Sequence, residues 1–330
     1  MTIPPVADPR PAQAGLVVSG VVDYPDGISS IDTLYVRPAL DASHLVVHGG
    51  RAAFVDTGTT QSVPQLLAAL DSKGIARSAV DWVFLTHIHL DHAGGAGALL
   101  RLLPNARAVV HPRGAAHLVD PTKLIAATRQ VYGDAVYERL YGELVPIPSE
   151  RLVVTDDGMT LELAGRSFRF LHTPGHALHH QVIHDPAAGA VFTGDAFGFS
   201  YRPFDVGGRA FILPTTTPTQ FDPDQFHASI DRILMLDPAC AYLTHYSRVT
   251  DIARLAGDLH AGVRAFVTMT RELGGVPDRE QRLQEALFGW ASAALDDHGY
   301  AGDLATRHAI LDADLGLNVQ GLLVWLDRRA

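Results

Sequence analysis

The chain has 330 residues, 47% of them hydrophobic and 19% charged, with a formal net charge of −10 and a single cysteine. This is the composition of a globular protein large enough for one big domain or two smaller ones. It excludes an intramolecular disulfide, and an acidic balance without any Lys/Arg run argues against binding nucleic acid over a broad surface, which requires clustered cations.

In chain order, residues 1–13 carry Pro4, Pro5, Pro9 and Pro11 and read as a Pro-rich tail without the apolar stretch of a signal peptide. No later apolar run reaches the ~20 residues of a membrane span, so the expectation is a cytoplasmic protein with no membrane partner. Leu34–Val36, Ser43–His48 and Ala52–Val55 read as short strands. Val63–Lys73 places Leu66, Leu67 and Leu70 at helical spacing and stops near Gly74. Val80–Leu85 reads as a buried strand, Gly94–Leu103 as a helix and Ala108–His111 as a strand. Residues 114–145 read as a helical insertion in two segments broken at Gly133, either packing or forming a pocket wall.

Strands return at Arg151–Thr155, Thr160–Leu163, Ser167–His172, Gln181–Asp185 and Ala190–Thr193, with a turn at Ala164-Gly165. Phe221–Leu236 reads as a helix capped by Asp222 with Pro223 at its first position. Ala239–Thr244 reads as the last core strand, with Cys240 a buried strand residue rather than a thiolate ligand. Thr250–Leu273, Asp278–Asp297 and Asp303–Arg328 read as helices, the last open to interruption at Gly316 and Gly321. Leu315, Leu322, Leu323, Val324 and Trp325 need cover, from the chain itself or across a two-fold homodimer.

The chemistry concentrates after the strand at 80–85. Thr86-His87-Ile88-His89-Leu90-Asp91-His92 packs three imidazoles and a carboxylate between positions 87 and 92, ligand types that suit zinc, iron and manganese. In extended chain His87 and His89 point the same way and Asp91 follows at the same step. His92 breaks the alternation, so a bend is expected, which Ala93-Gly94-Gly95 permits.

His87-x-His89-x-Asp91-His92 resembles the signature of the metallo-β-lactamase superfamily. Val55-Asp56-Thr57-Gly58, His172-Thr173-Pro174-Gly175-His176, Phe192-Thr193-Gly194-Asp195 and Leu243-Thr244-His245 resemble its further motifs, in its order. The resemblance implies a four-layer αβ/βα sandwich over 14–250, with the helical insertion at 114–145 and an all-helical C-terminal extension over 251–330. It implies two divalent metal ions, zinc first, with iron or manganese as alternatives. His87, His89 and His176 would hold one metal and Asp91, His92 and His245 the other, with Asp195 between them. Asp91 doubles as a proton shuttle. Asp56 and His180 are expected to support ligands, since a ligating His gives its other nitrogen to an acceptor. Tyr246 is placed to donate to a substrate oxygen.

The expected function is a hydrolase attacking an ester, thioester or lactone carbonyl of a small molecule with metal-activated water. The alternative is an iron-dependent oxidoreductase of the same fold, either like a persulfide dioxygenase, with His87, His176 and Asp195 on one iron, or a diiron oxygen-binding protein. A non-catalytic sensor is a third reading. Phe197, Phe199, Tyr201, Phe204 and Phe211, downstream of Asp195, are expected to wall a pocket or pack the core.

Overall fold

The computed structural model describes residues 20–216 and 219–329. The tail expected at 1–13 lies outside the described residues. Contacts divide the chain into two compact units, one running to Asp156 and including Leu161–Ser167, the other comprising Asp157–Thr160 and Phe168 onward.

The first unit carries a seven-stranded sheet whose spatial order is the chain order: β1 (Val21–Asp23), β2 (Ile28–Asp32), β3 (Ala42–His48), β4 (Arg51–Val55), β5 (Val80–Phe84), β6 (Arg107–Val110) and β7 (Leu152–Val154). Pairing is antiparallel through β4 and parallel from there on. The connections explain the switch. Gly49 and Gly50, both at positive φ, close β3 onto β4 in a two-residue turn that only such a backbone allows. Each parallel step instead needs a crossover. These are supplied by α1 (Val63–Ser72), by α2 (Leu90–Ala93) with α3 (Ala96–Leu102), and by α4 (Pro112–Val119), α5 (Thr122–Tyr132) and α6 (Asp134–Leu140). Leu66, Leu70 and Leu99 from these helices pack with Phe54 and Val83 in one fully buried cluster.

The insertion has three helices rather than two segments. The break at Gly133 stands, with φ 79°, and a further one falls at Asp120-Pro121, where proline disfavours helix in the residue before it. Tyr137 and Tyr141 pack on Leu90, with Tyr35 and Tyr132 against the same cluster.

The second sheet has the order β13-β12-β11-β10-β9-β8, from β8 (Thr160–Leu163), β9 (Arg166–His172), β10 (Gln181–Asp185), β11 (Ala190–Phe192), β12 (Cys240–Leu243) and β13 (Ser247–Val249). Its one parallel pair, β11 with β12, is joined through α7 (Pro223–Leu234), capped by Asp222 as expected. Cys240 is buried in β12. Three long helices complete this unit: α8 (Ile252–Leu273), α9 (Arg279–His298) and α10 (Leu304–Asp327).

Several expectations are corrected. Leu34–Val36 is not a strand: Leu34 and Val36 both have positive φ, in a loop where Asp32 accepts from the Leu34 and Ala39 N–H groups at 2.9 and 2.8 Å. Strands β1, β2 and β13 were not anticipated. The helix expected at 94–103 begins instead as α2 at Leu90 and resumes as α3. Gly316 and Gly321 do not interrupt α10. Each costs about 1 kcal/mol against alanine in a helix, which the burial of Leu311, Leu315, Val319, Leu322 and Trp325 outweighs.

Helix α10 is the one helix among the described residues long and apolar enough to cross a membrane. This corrects the expectation that no later apolar segment has that length, which failed because the apolar residues of α10 are interrupted by Arg307, Asp312, Asp314 and Asn318. It packs against α8 and α9. Asn318, fully buried, accepts from the Thr216 N–H through Oδ1 at 2.7 Å and donates to the Pro214 carbonyl at 3.0 Å. Truncation after Gly299 removes this helix and leaves those loop groups unsatisfied. The shortened chain is expected to aggregate or to melt at least about 10 °C lower. A soluble truncated protein with unchanged melting temperature would show the helix to be dispensable.

Candidate metal centre

The predicted ligands follow the carboxyl ends of strands, Asp91 and His92 in the short helix beyond β5, and within each sheet the register aligns neighbouring strand ends. In the first unit β4 and β5 run parallel with Val55 opposite Phe84. The residues that follow, Asp56 and Leu85-Thr86-His87, therefore emerge side by side. Asp56 is fully buried with φ 55°, a conformation Asp tolerates better than most residues and one that surrounding contacts must enforce. Its carboxylate accepts from the Thr86 N–H at 2.8 Å, the Thr86 hydroxyl at 2.7 Å and His92 Nδ1 at 2.8 Å.

These bonds set the imidazole tautomers. A carboxylate only accepts, so His92 carries its proton on Nδ1 and presents a lone pair at Nε2. The Thr86 hydroxyl is spent as a donor to Asp56, so His87 Nδ1, 3.2 Å away, donates to it and His87 Nε2 keeps its lone pair. His92 Nε2 lies 3.6 Å from Asp91 Oδ2, and His87 Nε2 lies 2.8 Å from His89 Nδ1. The expected bend occurs two residues early, at Leu90 rather than His92, so Asp91 does not continue the extended step. His89 is the extended residue before α2, and Asp91 and His92 lie within that helical turn. Gly94 and Gly95 have ordinary helical φ, and what they provide is room: a Cβ on Gly95 would stand 2.6 Å from the Thr59 carbonyl oxygen.

In the second unit the parallel pair β11 and β12, with Phe192 opposite Tyr242, brings the Asp195 and His245 loops together. His176 Nε2 lies 3.4 Å from Asp195 Oδ2, and His245 Nε2 lies 3.5 Å from Asp195 Oδ1. His176 Nδ1 faces the Thr215 carbonyl at 3.4 Å, and the Thr215 hydroxyl donates to the Asp195 carbonyl at 2.7 Å. His180 differs. Its Nε2 accepts from the Asp195 N–H at 3.1 Å and its Nδ1 lies 2.9 Å from the Thr173 hydroxyl. Both its nitrogens face protein groups, which suits a supporting residue rather than a ligand. Gly175, at φ 129°, lets α7 approach: a Cβ there would sit 2.3 Å from the Phe226 nitrogen.

The donor sets fit divalent cations. Two ligands held about 2.0–2.2 Å from one tetrahedral ion stand roughly 3.3–3.6 Å apart, the spacing of the His92–Asp91, His176–Asp195 and His245–Asp195 pairs. The His87–His89 pair is closer, and a cation between its nitrogens must part them. Asp195 turns each of its oxygens to a different imidazole, at 3.4 and 3.5 Å.

Thr86, Thr173 and Thr215 were not foreseen, because a threonine beside a ligand carries no signal of its own. Nor was the Tyr35–Tyr141 pair, whose hydroxyls lie 2.8 Å apart. Burial, then the negative charge of Asp91, pushes the Tyr35 phenol well above its usual range. Burial and Tyr35 do the same to Tyr141. Both therefore stay protonated. Phe197, Phe199, Tyr201, Phe204 and Phe211 are all buried, in contacts such as Phe199–Tyr201 and Phe204–Phe211. They pack the core. Tyr246 is buried beside His245, and Asp91 keeps 23% of its side chain exposed.

Residues 40–245 match the family model described as the metallo-β-lactamase superfamily. The chain is 29% identical over 249 residues to a hydroxyacylglutathione hydrolase of Acidiphilium cryptum, covering 74% of this chain and 81% of that one. It is 27% identical over 234 residues to the metallo-β-lactamase fold-containing protein ST1585 of Sulfurisphaera tokodaii, covering 69% of this chain and 76% of that one. Among solved structures, the metallo-β-lactamase family protein TTHA1429 of Thermus thermophilus superposes with a TM-score of 0.65 at 22% identity, over 92% of this chain and 94% of that one. The fold is thus the α/β sandwich read from the sequence, with its helical extension. The chain belongs to the metallo-β-lactamase superfamily.

Proposed function

We propose that this chain is a metal-dependent hydrolase that cleaves the thioester of a small carboxylic acid at a dinuclear centre. The carrying observation is Asp195, whose two oxygens each face a different imidazole at 3.4 and 3.5 Å. His87, His89 and His176 would hold one ion and Asp91, His92 and His245 the other, and the Asp195 carboxylate would offset the repulsion between the two cations. When bound, the ions supply an activated water near neutral pH and polarise the substrate carbonyl.

The chain's own residues do the rest. Asp56 fixes the tautomer and direction of His92, and His180 holds the Asp195 backbone in place. Asp91, partly exposed, takes the proton of the attacking water and delivers it to the leaving sulfur. Tyr246 donates its phenol hydrogen bond to the substrate oxygen. Thioesters are favoured over lactones because the Acidiphilium cryptum relative is named for one, hydroxyacylglutathione. The net charge of −10 favours a small molecule over a polyanion.

Freshly purified protein is expected to carry two divalent metals per chain and to release thiol from S-acyl thioesters, followed by a thiol-trapping dye. One iron per chain, with no turnover of thioester, ester or lactone, overturns this reading in favour of an iron oxidoreductase.

A further inference from the structure

Beside the C-terminal end of α10 the second unit holds a cavity of about 200 Å³ whose lining includes Leu178, Gln220, Phe221, Trp325, Arg328 and Arg329. Two donors there, the Trp325 indole and the Arg328 guanidinium, have no acceptor among the described residues. Trp325 is only 4% exposed, yet its indole N–H has no acceptor among the described residues, and buried indole N–H groups rarely go without one. The Arg328 side chain, exposed beside it, makes no ion pair or hydrogen bond among the described residues. Arg329 lies 5.1 Å from the Trp325 ring centre and Arg271 lies 5.6 Å from it.

The nearby carboxylates answer this charge only in part. Asp222, which also lines the cavity, is committed to the helix cap, its Oδ1 accepting the Asp224 and Gln225 N–H groups at 3.0 Å each. Asp224 reaches Arg329 only at 3.6 Å, with the Arg329 side chain about half and the Asp224 side chain mostly exposed, a pairing of little strength. Leu178 and Phe221 supply an apolar wall.

We infer that this cavity binds a small organic carboxylate, its anionic head taken by Arg328 and the Trp325 N–H and its apolar body by Leu178 and Phe221. Phenylacetate, one aromatic ring with a carboxylate, is a probe of this class. Charge-assisted guanidinium bonds suit a carboxylate head. An apolar body distinguishes this ligand from a bare inorganic anion. The site uses none of the proposed metal ligands, so it stands or falls independently of the hydrolase reading.

The test is a ligand-observed NMR titration of the full chain with phenylacetate, inorganic phosphate and 2-phenylethanol. Phenylacetate is expected to bind with a dissociation constant on the order of 0.1–1 mM, and phosphate and the alcohol at least about tenfold more weakly. Arg328→Ala, an exposed substitution, should weaken phenylacetate at least about tenfold, and Trp325→Phe, which keeps the ring and removes the N–H, a few-fold. Absence of phenylacetate binding overturns the inference. So does an affinity unchanged by Arg328→Ala, which would place the carboxylate elsewhere, for instance on a metal. Phosphate binding as tightly as phenylacetate shows a bare anion site and also overturns it.

Discussion

Asp195→Ala is expected to lose bound metal and on the order of a thousand-fold or more in turnover, well beyond the ~10–100-fold that follows loss of a supporting residue. The reason is that one carboxylate faces both His176 and His245. Without it, two cations would approach each other with no anion between them. His180→Ala is the paired control. Its nitrogens face the Asp195 N–H and the Thr173 hydroxyl, so its removal loosens the loop and leaves the ligands in place. It should cost about 10–100-fold. Elemental analysis and thioester turnover on both variants check this. Equal losses would mean that His180 is itself a ligand, and full metal content in Asp195→Ala would remove the shared-carboxylate assignment.

Asp56→Ala is expected to destabilise the first unit by about 3–5 kcal/mol, the cost of stranding buried partners. Three donors converge on this carboxylate, the Thr86 N–H and hydroxyl and His92 Nδ1, in a place no water reaches. Asp56→Asn separates stability from function. Its oxygen still serves the Thr86 N–H, while its amide nitrogen turns donors toward His92. That favours the other imidazole tautomer and turns the His92 lone pair away from the metal. The expected result is a melting temperature within a few degrees of the parent and a metal affinity lowered about 10–100-fold, read by chelator competition. Unchanged affinity in Asp56→Asn would show that His92 is not held by its tautomer.

The candidate ligands stand out in the sequence because each lies in a short motif that follows a strand, where an imidazole or carboxylate contrasts with apolar neighbours. The residues that aim them do not. Thr86 and Thr215 are common residues whose partners, Asp56 and Asp195, are distant in sequence and adjacent only through parallel strand pairing. Element types were read well wherever the period was long, as in α1, α7 and α8. They failed where side chains overrule local preference. Leu34–Val36 has strand-like residues, but the buried Asp32 and Thr33 fold the backbone into a loop: Asp32 takes two loop N–H groups and the Thr33 hydroxyl donates to the Asp41 carbonyl at 3.0 Å. Strands β1 and β2 were hidden by Pro25, Gly27 and the polar run Ser29-Ser30, since β2, although wholly buried, satisfies its serines through partners such as His44.

The contacts around Thr215 and Thr216 couple two parts of the molecule far apart in sequence. Thr215 holds the Asp195 backbone and faces His176, while its neighbour Thr216 donates to Asn318 in the middle of α10 through both its N–H and its hydroxyl. Free energy shared between two sites is reciprocal. If ligand geometry at Asp195 tightens when cations bind, α10 gains protection against opening by the same amount, and a substitution that frays α10 lowers cation affinity in equal measure. On that condition the C-terminal helix would gauge occupancy at a centre to which it contributes no ligand.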